Sequence, residues 1–330
     1  MWLLLLLLLA VEDFSSPGQT AWGAEPVNFT FAVAADMRSF TGQGSYDSSQ
    51  YFRGAVQTML GTGEPAFLIS PGDIDPPVQT RWTLDQVLGS DFRWLPVVGN
   101  HELPGAGSES SSGANMAWLR AYPQNVGLVH PGPAACPTTT FSFDYQNAHF
   151  IVLNEYCGTA GDTASDGDIP DYLYNWLAAD LAATSLPVKF VIGHEPAFPQ
   201  PDQDNGRIRH EGDSLNQYPA HRDRFWDLLR AQQVAAYLCG HTHNTSVANL
   251  SGVWQIDAGH ARGLGDTGAA STFVRVNVRG ASMTYQVYRD DANGGAYALR
   301  RSGLLVGEFQ TYLPVVGKTT EARDLTTELE

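Results

Sequence analysis

The chain has 330 residues, 43% of them hydrophobic, and a formal net charge of −16. That length suits one large domain or two small ones, and the apolar content supports a sizeable core rather than a disordered chain. The acidic balance argues against a nucleic-acid surface, which carries a basic footprint.

The N-terminus reads "MWLLLLLLLAVEDFSSPGQTAWGAEP". Its apolar run, Leu3 to Val11, is too short to span a bilayer as a helix and fits the apolar segment of a secretory signal, although no basic residue precedes it. Ala21-Trp22-Gly23 supplies the small residues of a cleavage site. Residues 1–23 are therefore read as a signal peptide and the protein as secreted, extracellular or periplasmic, with no membrane span once the signal is removed. The alternative is a start site upstream of a cytoplasmic enzyme.

From there strands and helices alternate. "VNFTFAVAA" is a strand, and "SSQYFRGAVQTML" is a helix with Phe52, Val56, Met59 and Leu60 on one face. "AFLIS" is a second strand, "TRWTLDQVL" a short helix and "WLPVVGN" a third strand. Residues 104–137 form a long insertion rich in Gly, Ser and Pro, with a short helix at "ANMAWLRAY". A hairpin follows, "TFSFDYQNAHFIVLNEYC", turning at Gln146-Asn147 so that Tyr145 faces Ala148. The same register sets Cys136 opposite Cys157, a disulfide that would suit export. Cys239, in "AAYLCG", reads as a core residue. Then come the helix "DYLYNWLAADLAAT", the strand "VKFVIGH", a polar loop from Glu195 to Tyr218 with the character of a lid, the helix "AHRDRFWDLLRAQQ" and the strand "VAAYLCGH". From Val253 the chain turns all-β through "VWQIDAG", "STFVRVNV" and "SMTYQVYR", with "GEFQTYLPVV" as one more candidate strand. One domain over 24–315 and a frayed acidic tail over 316–330 are expected.

Each buried strand stops at a polar set. Asp36 follows the first, Gly72-Asp73 the second, "GNHE" (Gly99 to Glu102) the third, "GHE" (Gly193 to Glu195) a later one and "GHTH" (Gly240 to His243) the last before the all-β part. In α/β sheets such strand ends converge on one site. A lone Asp or His there is most often a cap or a turn residue. The ordered series is hard to obtain that way, and Asp with His suits transition metals of mixed N/O ligation. Glycine ahead of each set lets the backbone turn and approach closely.

The order Asp, GD, GNHE, GH, GHxH resembles the calcineurin-like metallophosphoesterase superfamily, over roughly residues 27 to 290, with the purple acid phosphatase branch as one possible home. The resemblance implies a four-layer α/β/β/α sandwich around two transition-metal ions, with Mn, Fe or Zn as candidates. It implies that Asp73 bridges them, that Asn100, His194 and His241 complete one site, and that Asp36 and His243 hold the other. His101 would then assist at the leaving oxygen rather than bind metal. The activity implied is hydrolysis of small phosphate esters by a metal-activated hydroxide, monoesters ahead of diesters. Two metals about 3.5–4 Å apart both activate water and clamp the phosphoryl oxygens.

One position departs from this pattern. The family's first motif carries a ligating His two residues after the Asp, where this chain has Arg38, which cannot ligate. The Tyr used instead by purple acid phosphatases falls on Pro76. Either the first site is weak, or Asp75 or Glu155 completes it, or the protein is a degenerate phosphate-binding module. On an extended strand Arg38 would share a face with Asp36 and reach substrate phosphate, or else pair with Asp36 or Asp75. His260, after the next strand, is a further candidate for the site's edge. His149 reads as structural, and His130, His210 and His221 as solvated.

Overall fold

The computed structural model describes residues 28–37, 50–105, 113–123, 126, 129–262, 268–290 and 295–306. The segments expected as signal peptide (1–23) and tail (316–330), Arg38 and the strand expected at 307–316 lie outside these. Among the described residues, thirteen strands and five α-helices follow in the order β1 (Asn28–Val33), α1 (Gln50–Gly61), β2 (Leu68–Ser70), α2 (Pro77–Leu88), β3 (Trp94–Pro96), α3 (Ala114–Ala121), β4 (Val129–Pro131), β5 (Phe141–Tyr145), β6 (Ala148–Val152), α4 (Asp171–Ala183), β7 (Val188–Ile192), α5 (Pro219–Ala231), β8 (Ala236–Cys239), β9 (Thr245–Leu250), β10 (Val253–Ala258), β11 (Ser271–Arg279), β12 (Ser282–Asp290) and β13 (Ala298–Val306).

Two sheets carry the chain, one ordered β13-β12-β11-β1-β2-β3 and the other β4-β5-β6-β7-β8-β10-β9. Alternation along β1 explains how they stack. Phe29, Phe31 and Val33 point between the sheets, while Ala32 and Ala34 lie under the helices. The inter-sheet core is aromatic: Phe31 stacks on Phe67 at 5.4 Å, and Phe150 on Phe190 at 5.0 Å. Each such ring, fully buried, contributes about 1.5–3 kcal/mol.

The outer faces are closed by helices. Phe52, Val56 and Met59, one stripe of α1, pack on the first sheet with α2 and α3. Leu173, Leu177 and Leu181 of α4 and Phe225 and Leu229 of α5 cover the second. This is the four-layer α/β/β/α arrangement expected. Proline at the first turn starts both α2 and α5, where its missing N–H costs nothing.

The hairpin keeps its expected register, Tyr145 facing Ala148 and Phe141 facing Val152. Cys136 and Cys157 are bonded, their Cα atoms 5.9 Å apart. Three strands were not anticipated: β4, β9 and β13. Each is the edge of a sheet, where half the backbone faces water and an apolar pattern is not required. "ALRRSGLLV" in β13 is mostly exposed and carries two arginines.

Candidate metal centre

The two sheets contribute different chemistry. Past the ends of β1, β2 and β3 stand Asp36, Asp73 and Asn100, all oxygen donors; past β7 and β8 stand His194, His241 and His243, all nitrogen donors. Four of these six have left-handed backbone: Asp36 (φ 51°), Asp73 (φ 53°), His241 (φ 69°) and His243 (φ 59°). That conformation is uncommon outside glycine and costs on the order of 1 kcal/mol or more per residue, so a cluster of it marks a site held together by its surroundings. Close approach is also required. A Cβ on Gly72 would strike the His194 ring, and one on Gly240 would strike Asp36.

Around His194 three polar side chains converge. Its Nε2 lies 3.1 Å from Asn100 Oδ1, 3.5 Å from Asp73 Oδ1 and 3.2 Å from His241 Nδ1. The tautomers follow from the far ring atoms. His194 Nδ1 donates to Pro71 O at 2.7 Å, which leaves Nε2 as the nitrogen able to take a metal once its proton is lost. His241 Nε2 donates to Asp213 O at 2.6 Å and burial keeps the ring neutral, so its Nδ1 holds a lone pair. Two ring nitrogens, a carboxylate and an amide oxygen then meet at one buried point; in the metal-free protein a proton on His194 Nε2 joins them, and a metal ion would take that proton's place. Ligands about 2.0–2.1 Å from a tetrahedral ion lie about 3.4 Å apart, close to the spacing found. The point favours positive charge: burial lowers the His194 pKa, but Asp73 and Asp36 outweigh it and raise it to about 9. His241 goes the other way, held well below its usual value by burial and by His194 and His210.

Two buried carboxylates hold this half in place. Glu102 accepts Gly99 N at 2.7 Å, Asp73 N at 3.0 Å and Ile74 N at 2.8 Å, tying the second and third motifs together. Burial, Asp73 and Asp75 push its pKa well up. Glu155 accepts His194 N at 2.9 Å and Glu195 N at 2.7 Å and meets the Tyr237 hydroxyl. The expectation that Glu155 completes the first site therefore gives way: its oxygens are spent on the backbone behind His194. Glu195 takes Tyr156 Oη and Gly167 N on Oε1, and burial with Glu155 raises its pKa to about 8.

At the other half, Asp36, Asp73 and His243 bring ligand atoms within 4.8 Å of one another. Asp36 is fully buried; its Oδ2 accepts His241 N at 2.8 Å, while Oδ1 takes no hydrogen bond and faces His243 Nε2 at 3.3 Å. The carboxylates fit a cation. The imidazole does not as it stands, because Arg209 Nη1 meets His243 Nδ1. Arginine only donates, so Nδ1 must hold the lone pair and a neutral ring carries its proton on Nε2. Metal ligation through Nε2 requires the opposite tautomer.

Several sequence expectations change here. Asp75 is buried, and neither of the two groups of possible ligands among the described residues, His210 with Asp213 and His241 or Asp36 with Asp73 and His243, includes it. His260 is fully buried, its Nε2 3.1 Å from Ala269 O and its ring 5.6 Å from that of His243. It backs a candidate ligand and has no open path to a substrate. His210, expected to be solvated, packs against His241 with ring centroids 4.2 Å apart and the planes tilted by 36°, and reaches Asp213 at 3.1 Å. Extended geometry after β1 does not hold either, since Asp36 is left-handed, so the shared-face argument for Arg38 fails; Arg38 itself lies outside the described residues. His149, by contrast, is buried between Asp144 (2.6 Å) and Asp180 (2.8 Å) as a structural residue.

His101 differs from the other site histidines. A quarter of its side chain (25%) is exposed, against 0% for His194 and 5% for His243. Its backbone N–H donates to Asp73 Oδ1 at 3.0 Å and its Nε2 lies 3.8 Å from Asp73 Oδ2. It stands at the rim of the cluster, open to an incoming molecule.

Comparison with solved structures gives the same architecture in PhoD (TM-score 0.59, 14% identity, 85% of this chain and 70% of that one). The purple acid phosphatase PPD1 of yellow lupin (Lupinus luteus) seeds matches with TM-score 0.57 and 14% identity, over 85% of this chain and 54% of that one. GAP50, the anchor in the inner membrane complex of Plasmodium, matches with TM-score 0.50 and 13% identity, over 84% and 89%. At these identities the likeness concerns the fold, and this chain spans about half the length of the lupin enzyme. No curated protein matches the sequence. A sequence profile described as calcineurin-like phosphoesterase matches residues 29–245, which span all five strand-end motifs, and the chain belongs to that family.

Proposed function

We propose that the protein is a secreted, metal-dependent phosphomonoesterase. The observation that carries this reading is the convergence of Asp73, Asn100 and His241 on His194 Nε2, a buried point that favours positive charge. A metal bound there supplies positive charge to phosphoryl oxygens and lowers the pKa of water. The chain's own residues do the rest. Pro71 O and Asp213 O fix the two tautomers, so neither imidazole must turn to receive an ion. Glu102 holds the Asp73 and Gly99 backbones in register. His101, partly exposed beside Asp73, donates its proton to the ester oxygen as the bond from that oxygen to phosphorus breaks.

Support for monoesters comes from the Glu195–Tyr218 loop, which brings the Arg209 guanidinium to the edge of the cluster at His243. Extra positive charge suits a terminal, dianionic phosphate better than a diester. Support for export comes from the apolar N-terminal run and the Cys136–Cys157 bond, a pairing favoured in oxidising compartments. No helix among the described residues is long and apolar enough to cross a membrane.

A non-catalytic reading has one support, the likeness to GAP50, described as an anchor. One assay separates the two. Chelator-stripped protein is given Mn²⁺, Zn²⁺ or Fe and assayed with p-nitrophenyl phosphate and bis-p-nitrophenyl phosphate. Metal-dependent turnover with the monoester favoured by about tenfold or more, a margin of about 1.4 kcal/mol, is expected. Absence of turnover with every metal would leave a phosphate-binding module.

A further inference from the structure

The helical layer over the first sheet stops at the end of α1. The apolar stripe of that helix shares a cluster with Phe273 of β11 and Tyr288 of β12. Farther along β11, Val274, Val276 and Val278 point between the sheets, so Arg275, Asn277 and Arg279 point outward. Beside Thr62 the outer face of β11, β12 and β13 forms an open hollow of about 770 Å³. Arg275 and Arg279 line it, together with Thr284, Gln286 and Ser302 from the next two strands. No carboxylate lines it, although the chain carries a net charge of −16.

Arg275 is 6% exposed, and its Nε is buried and takes no hydrogen bond. Among the described residues its guanidinium meets one neutral hydroxyl, Thr62 Oγ1. Burial lowers its pKa, and no carboxylate opposes the shift. Arg289, on the neighbouring strand, is as deeply buried at 4%, but Asp202 at 2.7 Å and Asp204 at 2.6 Å balance it. A buried charge without a counter-charge is costly. An anion laid in the hollow would supply one to Arg275.

The spacing of the two arginines selects the kind of anion. Four residues apart on one strand, they stand about 13 Å from each other along it. A single phosphate reaches one guanidinium but not both. A nucleic acid, with a charge roughly every 1.7 Å, is too densely charged for two arginines on an acidic protein. A sugar chain with spaced carboxylates fits better, because hydroxyls and amides pair with sugar hydroxyls and a guanidinium grips a carboxylate through two N–H groups. We propose that the outer face of β11, β12 and β13 is a second binding site, for an acidic oligosaccharide, whose carboxylates lie on Arg275 and Arg279 and whose hydroxyls meet Thr284, Gln286 and Ser302. The site is remote from the metal centre: Arg279 pairs with Asn28 at the start of β1, whereas Asp36 follows the end of that strand.

The test is calorimetry on the full chain, stripped with chelator and desalted so that the metal centre takes no part. Tri-galacturonic acid is the probe, with neutral maltotriose and inorganic phosphate beside it. The acidic trisaccharide is expected to bind about tenfold or more tighter than either, and to weaken as salt rises. Arg275→Gln should lower its affinity by roughly 10- to 100-fold, the worth of a charge-assisted hydrogen bond. Because Arg275 is buried, a thermal melt accompanies that variant, and two changes at exposed positions give a second reading: Arg279→Glu and Ser302→Glu each place a like charge in the hollow and should weaken binding by about tenfold. No binding of the acidic trisaccharide, equal binding of maltotriose or phosphate, or indifference to both Arg279→Glu and Ser302→Glu would each overturn the proposal. Binding is the readout throughout, so the outcome stands apart from whether the protein turns over phosphate esters.

Discussion

His194 and His243 both follow strands of the same sheet, both are buried, and both turn a ring nitrogen toward an aspartate. Their opposite nitrogens meet contrary partners. His194 Nδ1 finds a carbonyl, Pro71 O, whereas His243 Nδ1 finds a guanidinium, Arg209. An acceptor behind the ring prepares the front nitrogen for an ion; a donor behind it disarms that nitrogen. The residue types read alike in sequence, and only the partner behind each ring tells them apart.

The sharpest way to break this comparison is to remove each ring in turn. His194→Ala is expected to lower Zn²⁺ affinity by roughly 100-fold or more, the share of one ligand in a structural-type site, and to abolish turnover. His243→Ala is expected to change affinity for the first ion by less than about threefold. Equal losses in calorimetry would mean that both rings ligate the tight ion.

Next in size is the exposed histidine. His101→Asn should lower kcat by roughly 100- to 10,000-fold with metal content unchanged, the span typical of a lost general acid. The loss should be greater for an alkyl phosphate than for p-nitrophenyl phosphate, whose leaving group needs no proton. A loss that ignores the leaving group would reduce His101 to a positioning residue.

Glu102→Gln probes the scaffold of the His194 half. The amide replaces one acceptor oxygen with a donor facing a backbone N–H, so metal affinity should fall by about 10- to 100-fold, as supporting residues usually show. A change in metal affinity below about twofold would mean that the backbone turn stands without it.

The smallest effect is on stability. In the metal-free protein His194 is raised to about 9 and Glu195 to about 8, so between pH 7 and 9 the folded state binds more protons than the unfolded one. Their contribution is complete below the unfolded values and is lost as pH rises through about 8 to 9. His241, whose pKa is depressed, acts only below about 6.5 and leaves this window alone. Thermal melts of chelated protein should therefore fall between pH 7 and 9, and zinc-loaded protein should fall less, since the ion takes the proton's place on His194. Parallel slopes would remove His194 from the ion's surroundings.

Much of the site could be read from the chain because its residues sit at strand ends, and strands announce themselves by buried runs. The five motifs, the hairpin register and the Cys136–Cys157 pairing all follow from local pattern. What escaped has a common cause. Arg207, Arg209 and His210 lie in a loop without periodicity, and their partners, His241, His243 and Asn244, are more than thirty residues away. Glu102 was visible in GNHE, but its work is done on backbone N–H groups, which leave no trace in sequence. The missed strands β4, β9 and β13 are edges, freed from the apolar pattern that makes interior strands legible.

The most direct measurement is anomalous diffraction from crystals given less than one zinc equivalent per chain. The account expects a single peak within about 2.0–2.2 Å of His194 Nε2 and His241 Nδ1, with Arg209 still on His243. A first peak between Asp36 and His243, with Arg209 displaced, would contradict it.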